Sequence, residues 1–225
     1  MSNVWNNKAD ISWIDTKKPM VALSFDDGPV DPMNDNSSAI RIQNALRDNG
    51  MHATFFYWGS TLNDGTIKEI ERAYELGFEI ANHTWNHLSL PTLSKEEIER
   101  EVSSIGEVLE KITGEEKLLF RPPFIDINPL VLETVKAPFI TCGVDTKDYT
   151  GISSDEIISI VKNAMDKGEL ENKIVLMHEN IEETAKAVEY LVPFLKDKGY
   201  QVVNISEMFK VLGKDMYDGQ IYTCC

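Results

Sequence analysis

Cysteine is nearly absent: three residues in 225, two of them adjacent as Cys224 and Cys225. That excludes a disulfide framework. Cys142, in the apolar run Phe139-Ile140-Thr141-Cys142, is expected to be a buried free thiol. Positive charge is scarce too, with 22 Lys and Arg against 37 Asp and Glu and a formal net charge of −15. Such a field repels nucleic acid and anionic membranes, so neither is an expected partner. A neutral polymer suits this surface better than an anionic one. No segment approaches the roughly 20 apolar residues of a membrane helix, and the first twenty residues hold no apolar signal core. Repeats, linkers and low-complexity stretches are missing. The chain reads as one domain with short tails: residues 1–18, a core domain over 19–212, and 213–225. Histidine is rare as well, with four in all.

What is present is an alternation of short apolar runs and longer amphipathic segments. Strands are expected at about 20–25, 53–58, 78–81, 117–120, 138–142, 173–177 and 201–203. Helices are expected at about 37–48, 65–76, 94–112, 153–168, 182–197 and 205–212. Ser94 followed by Glu97 forms a capping box, apolar residues from Ile98 to Ile112 recur at helical spacing, and Gly114 stops the helix. Repeated strand–helix units imply a parallel sheet with right-handed crossovers. Some seven strands in one α/β domain point to a closed or nearly closed (β/α) barrel rather than a doubly wound sheet. Asn36-Ser37-Ser38 and Asn204-Ile205-Ser206 match the glycosylation sequon, a match that arises often by chance.

Two features carry chemistry. Phe25-Asp26-Asp27-Gly28-Pro29 ends the first strand with adjacent carboxylates, which repel unless a cation neutralises them. Asp, Gly and Pro are also ordinary turn residues. His83-Thr84-Trp85-Asn86-His87 then places two imidazoles four apart, on one face if the segment is a helical turn. Together they offer a two-His, one-Asp set for a zinc-like ion, with coordination positions left for water and substrate. Three later segments also sit after apolar runs. Arg121-Pro122-Pro123-Phe124 is a stiff loop that directs the Phe124 N–H, a candidate oxyanion donor, and Arg121 can pair with a strand-end carboxylate. Asp145-Thr146-Lys147-Asp148-Tyr149 and Leu176-Met177-His178 bring a possible Asp148–His178 pair to the same mouth, which would raise the His178 pKa. His52 begins a strand, at the opposite end, and is read as structural.

These five segments, in this order, resemble the five motifs of the carbohydrate esterase family four polysaccharide deacetylases. The resemblance runs over about residues 19–212. It implies a distorted (β/α) barrel and metal-dependent release of acetate. By resemblance, Asp27, His83 and His87 bind one divalent ion, zinc first and cobalt as the alternative. Asp26 is the general base, oriented by Arg121. The Phe124 N–H holds the oxyanion, His178 is the general acid tuned by Asp148, and Tyr149 and Leu176 form the acetyl pocket. Two residues depart from the family pattern: Tyr149, where Trp is frequent, and Glu179, where many members have Asp. Members act on acetylated xylan or on N-acetyl sugars of chitin and peptidoglycan. The acidic surface, the short loops and the stretch from Phe194 to beyond Met208 favour acetylxylan. An N-deacetylase of chitin oligomers or peptidoglycan is the alternative, and a silent carbohydrate-binding module a third. A monomer is expected. So is an extracellular location, with the signal segment not in this sequence and a cytoplasmic one left open.

Overall fold

A computed structural model describes residues 4–5, 7–30 and 36–224. The chain runs through β1 (Met20–Gly28), α1 (Ser38–Asn49), β2 (Thr54–Tyr57), α2 (Asp64–Glu75), β3 (Glu79–Asn82) and α3 (Lys95–Thr113). It continues through α4 (Pro129–Thr134), β4 (Phe139–Ile140), β5 (Val144–Asp145), α5 (Ser154–Asp166) and β6 (Ile174–His178). It ends in α6 (Glu182–Asp197), β7 (Gln201–Val203), α7 (Ile205–Val211) and β8 (Ile221–Tyr222). The sequence starts its helices with side chains that satisfy the first free N–H groups. Capping boxes stand at Asn63/Thr66, Ser94/Glu97, Ser153/Glu156 and Asn204/Glu207.

Among the described residues the named strands pair in parallel, in the order β3-β2-β1-β6-β5, with β7 also on β1, and only isolated bridges such as Lys173–Cys224 run antiparallel. Phe120 bridges β3 to β4, β4 pairs with β8, and Cys224 bridges back to Lys173 beside β6. The result is a distorted, nearly closed (β/α) barrel, as the strand–helix alternation implies. The strand expected at 117–120 shrinks to the Phe120 bridges, and that at 138–142 to two residues. The short α4, of six residues, and β5 and β8, of two each, were not expected; so few residues hardly show a period.

Nine-residue β1 is the axis, and its alternation sorts the core. Val21, Leu23 and Phe25 pack outward with residues such as Leu46, Phe55 and Val188. Met20 and Ala22 pack inward with Phe56, Ile140 and Phe209. The same period carries Ser24 and Asp26 to the inward side, so the strand that builds the core also delivers a carboxylate to the barrel's mouth. Segments flanking 19–212 are held on this frame: Ile14 is buried, Trp13 Nε1 donates to Glu207 Oε1 at 2.8 Å, and β8 pairs with β4. His52 lies at the end away from the strand mouths, its Nδ1 2.6 Å from Glu207 Oε1. Asn204 is buried and caps α7, which removes it as a glycan acceptor. Cys142 is half-buried rather than buried, and free.

Candidate active site

The register of β1 against β2 shifts between Phe25 and Gly28. Such an irregularity re-aims the side chains that follow. Asp27 takes a left-handed backbone, φ 67°, and turns its carboxylate toward the β3 exit while Asp26 stays inside. Gly28 has no alternative: a Cβ there would lie 1.3 Å from Glu179 Oε1 and 2.7 Å from Tyr57 Cε1. Burial first, and then the neighbouring Glu69, push the Glu179 carboxyl well above the usual range.

The expected helical turn at His83–His87 is not there. The segment is a loop, with Thr84 at φ 73° and His87 at φ 55°. Turn-by-turn hydrogen bonds replace helical ones: Thr84 N–H donates to Asn82 Oδ1 at 2.9 Å and His87 N–H to Thr84 Oγ1 at 3.2 Å. The two imidazoles still meet, with centroids 5.0 Å apart. Asp27, His83 and His87 offer three ligand atoms within 4.8 Å of one another. Asp27 Oδ1 lies 3.2 Å from His87 Nε2 and 3.6 Å from His83 Nε2. That atom is buried and takes no hydrogen bond of regular geometry. A buried carboxylate oxygen left so, between two ring nitrogens, fits a cation held by all three. Burial works to raise the Asp27 pKa, but bonds and positive charge from protonated His83 and His87 would outweigh it and hold the carboxyl well below the usual range.

Asp26 is buried and bound by Arg121, which is wholly inaccessible. Arg121 Nη1 donates to Asp26 Oδ1 at 2.6 Å and Nη2 to Ser24 Oγ at 2.9 Å. Its remaining bonds go to the carbonyls of Ile140 and Thr141 at 3.2 and 3.0 Å, and its plane lies 4.2 Å from the Phe56 ring centre. A buried guanidinium needs this many acceptors to offset desolvation. Asp26 Oδ2 is left 3.8 Å from His83 Nε2.

On β6, His178 pairs in register with Asp26. Its Nδ1 is 2.8 Å from Asp148 Oδ1, while its own N–H and Thr184 Oγ1 donate to Asp148 Oδ2 at 2.7 and 2.6 Å. Burial works to lower the His178 pKa, but the Asp148 hydrogen bond and the charges of Asp26, Asp148 and Asp27 raise it overall. Tyr149 is exposed, its ring 5.5 Å from that of His178 and its hydroxyl donating to Asp145 Oδ2 at 3.1 Å. Leu176 is buried two residues before His178. Phe124 is 70% exposed, at φ 59°, with its ring 4.8 Å from that of His87.

All ten residues picked out in the sequence therefore gather at one mouth of the barrel. Ser24, which accepts from Arg121, and Thr184, which donates to Asp148, were missed. Ser24 was within reach, since strand alternation puts it on the face of Asp26.

Residues 14–141 match the family model described as polysaccharide deacetylase. The chain is 31% identical over 212 residues to a peptidoglycan-N-acetylglucosamine deacetylase of Bacillus cereus, covering 89% of this chain and 93% of that protein. It therefore belongs to the polysaccharide deacetylase family, a family of metal-dependent hydrolases. It is also 25% identical, over 94% of its length, to a bifunctional xylanase/deacetylase of Pseudobutyrivibrio xylanivorans. It spans only 33–41% of the length of that and several other curated relatives. Among solved structures, a family 4 acetyl xylan esterase from Clostridium thermocellum, in complex with a cobalt ion, superposes with a TM-score of 0.80 at 28% identity, over 91% of this chain and 98% of that one. No helix among the described residues is long and apolar enough to cross a membrane.

Proposed function

We propose that the chain removes acetyl groups from O-acetylated xylan outside the cell, with Asp26 as general base and His178 as general acid. One observation carries the reading. Asp26 and His178 sit in register on neighbouring strands, each fixed by its own buried partner, and flank the Asp27, His83 and His87 donors.

A divalent ion held by Asp27, His83 and His87, zinc in this reading and cobalt the alternative, would polarise the acetyl carbonyl and acidify water. Asp26 Oδ2 takes the proton of the attacking water; Oδ1 is committed to Arg121, which keeps the carboxylate aimed. The Phe124 N–H, on a backbone stiffened by Pro122 and Pro123, donates to the oxyanion that forms on the acetyl carbon. His178 donates from Nδ1 to Asp148, so Nε2 carries a proton in the protonated ring that Asp148 favours, and gives it to the leaving sugar oxygen or nitrogen. Leu176 and Tyr149 wall the methyl side. Water adds, the C–O or C–N bond breaks, and acetate and a free hydroxyl or amine leave.

The xylan assignment draws on the net charge of −15, which suits a neutral chain, and on the open, shallow mouth that exposed Tyr149 and Phe124 give. Peptidoglycan or chitin N-deacetylation is the second reading, favoured by the identity to peptidoglycan deacetylases. A silent module would be expected to have lost at least one of Asp26, Asp27, His83, His87, Arg121 and His178, all of which are present. An acetate-release panel over acetylxylan, chitin oligomers and peptidoglycan, each with zinc and with cobalt, tests all three. Release fastest from acetylxylan is expected. Faster release from an N-acetyl polymer overturns the xylan assignment, and no release from any overturns the hydrolase reading.

A further inference from the structure

The two histidines of the candidate metal centre are fixed by different means. His83 belongs to the sheet frame: its N–H donates to Tyr57 O at 2.9 Å and its Nδ1 to Arg121 O at 2.7 Å. His87 stands beyond three loop residues in a left-handed backbone. The residue before it, Asn86, is exposed. Even so, both of its donors are tied down by one side chain. Asn86 N–H donates to Glu101 Oε2 at 2.7 Å and Asn86 Nδ2 to Glu101 Oε1 at 2.6 Å.

Glu101 comes from α3 and is 7% exposed. A carboxylate on a buried helix face costs desolvation, so its retention there calls for a use of its hydrogen bonds. It is also the side chain suited to this task. Two donors on one residue, its backbone N–H and its side-chain amide, are matched by an acceptor-only group with two oxygens. α3 grips the start of the same loop as well, through Asn82 Nδ2 to Val102 O at 2.9 Å.

We propose that Glu101 is a positioning residue: acting through Asn86, it sets His87 at the distance from His83 and Asp27 that a divalent ion requires. This rests on the metal reading above and adds to it a group that touches neither ion nor substrate. Outer groups that orient metal ligands are worth about 10–100-fold in affinity.

The test measures zinc and cobalt affinity of the full chain by chelator competition, with the cobalt visible absorption as a report on ligand geometry. Wild type should bind one ion. Glu101→Gln, which turns an NH₂ toward the Asn86 donors, should bind about 10–100-fold more weakly with an altered cobalt band. Asn86→Ala, at an exposed position, should shift affinity the same way by less. The double variant should be no worse than Glu101→Gln alone. Ile105→Val, which loosens the same helix without touching the loop, should bind as wild type does. Wild-type affinity and spectrum in Glu101→Gln overturn the proposal. So do wild-type affinity in Asn86→Ala, should Glu101→Gln fail to fold, or additive losses in the double variant. If the wild type itself binds no ion, the metal reading falls and this inference with it, an outcome distinct from all of these.

Discussion

His83 Nδ1 donates to the backbone carbonyl of Arg121 across 2.7 Å. A carbonyl only accepts, so the ring proton sits on Nδ1 and the Nε2 lone pair is turned toward Asp27. The tautomer suited to metal binding is thus held by main chain, and no side-chain substitution at Arg121 removes the bond.

The Arg121 side chain has a different duty. Arg121→Ala should strip Asp26 of its partner and leave a buried carboxylate uncompensated, at about 3–5 kcal/mol of stability. Turnover should fall while one ion still binds. Arg121→Lys should rescue little, because one ammonium cannot serve Asp26, Ser24 and the Ile140 and Thr141 carbonyls together. Urea unfolding, metal titration and acetate release on both variants check this. Loss of metal with stability intact would contradict it.

The two aspartates should separate by function. Asp26→Asn should keep the ion and lose turnover by roughly 10²–10⁴-fold, the size of a general-base contribution. Asp27→Asn should weaken the ion itself, since Asp27 Oδ1 is the oxygen between the two imidazoles. Metal content and kcat measured on both variants decide the matter. Equal metal loss in the two would refute the division of labour.

The paired carboxylates, the capped α3 and the barrel class were legible because each rests on a local rule: strand alternation, capping chemistry, crossover handedness. The spacing of His83 and His87 correctly paired the rings but misread the backbone. A four-residue spacing admits both a helical turn and a loop, and nothing in a β-branched Thr84 announces φ 73°. A local bond from Asn82 and a tertiary one from Glu101 on α3 select the loop, and the second lies outside any short-range pattern. β4, β5 and β8, two residues each, exist only through their neighbours. From its residues Arg121 reads as a partner for one of the aspartates, and the resemblance names Asp26. Which one it meets follows from the inward phase of β1, which puts Asp26 and not Asp27 inside the barrel.

His178 should show its raised pKa. A histidine whose folded pKa exceeds about 6.5 stabilises the fold fully below that value and loses the contribution as pH rises through the folded pKa. In the acid role the protonated form is the active one, so the alkaline limb of kcat/KM should lie above 6.5. Asp148→Asn should move that limb to lower pH, since the Asp148 hydrogen bond is the leading influence that raises the pKa. Proton NMR titration of His178 and a pH–rate profile check the shift. An unmoved limb would show that Asp148 does not tune the imidazole.

The same imidazole bears on which bond is cut. A sugar alkoxide or amine must be protonated as it leaves, whereas an aryl acetate releases a stable phenolate. General-acid catalysis matters less as the leaving group becomes a weaker base. His178→Ala should therefore lose far more activity on acetylxylan or N-acetyl oligomers than on an aryl acetate. Asp26→Ala should impair all three, because every substrate needs the water activated. The measurement is kcat/KM for wild type and both variants on the three substrates. Equal losses for His178→Ala on aryl and sugar esters would remove the leaving-group role. Retained aryl activity in Asp26→Ala would mean that the proton of the attacking water goes elsewhere, and His178, the other titratable group in register across β1 and β6, would be the group to examine as its acceptor.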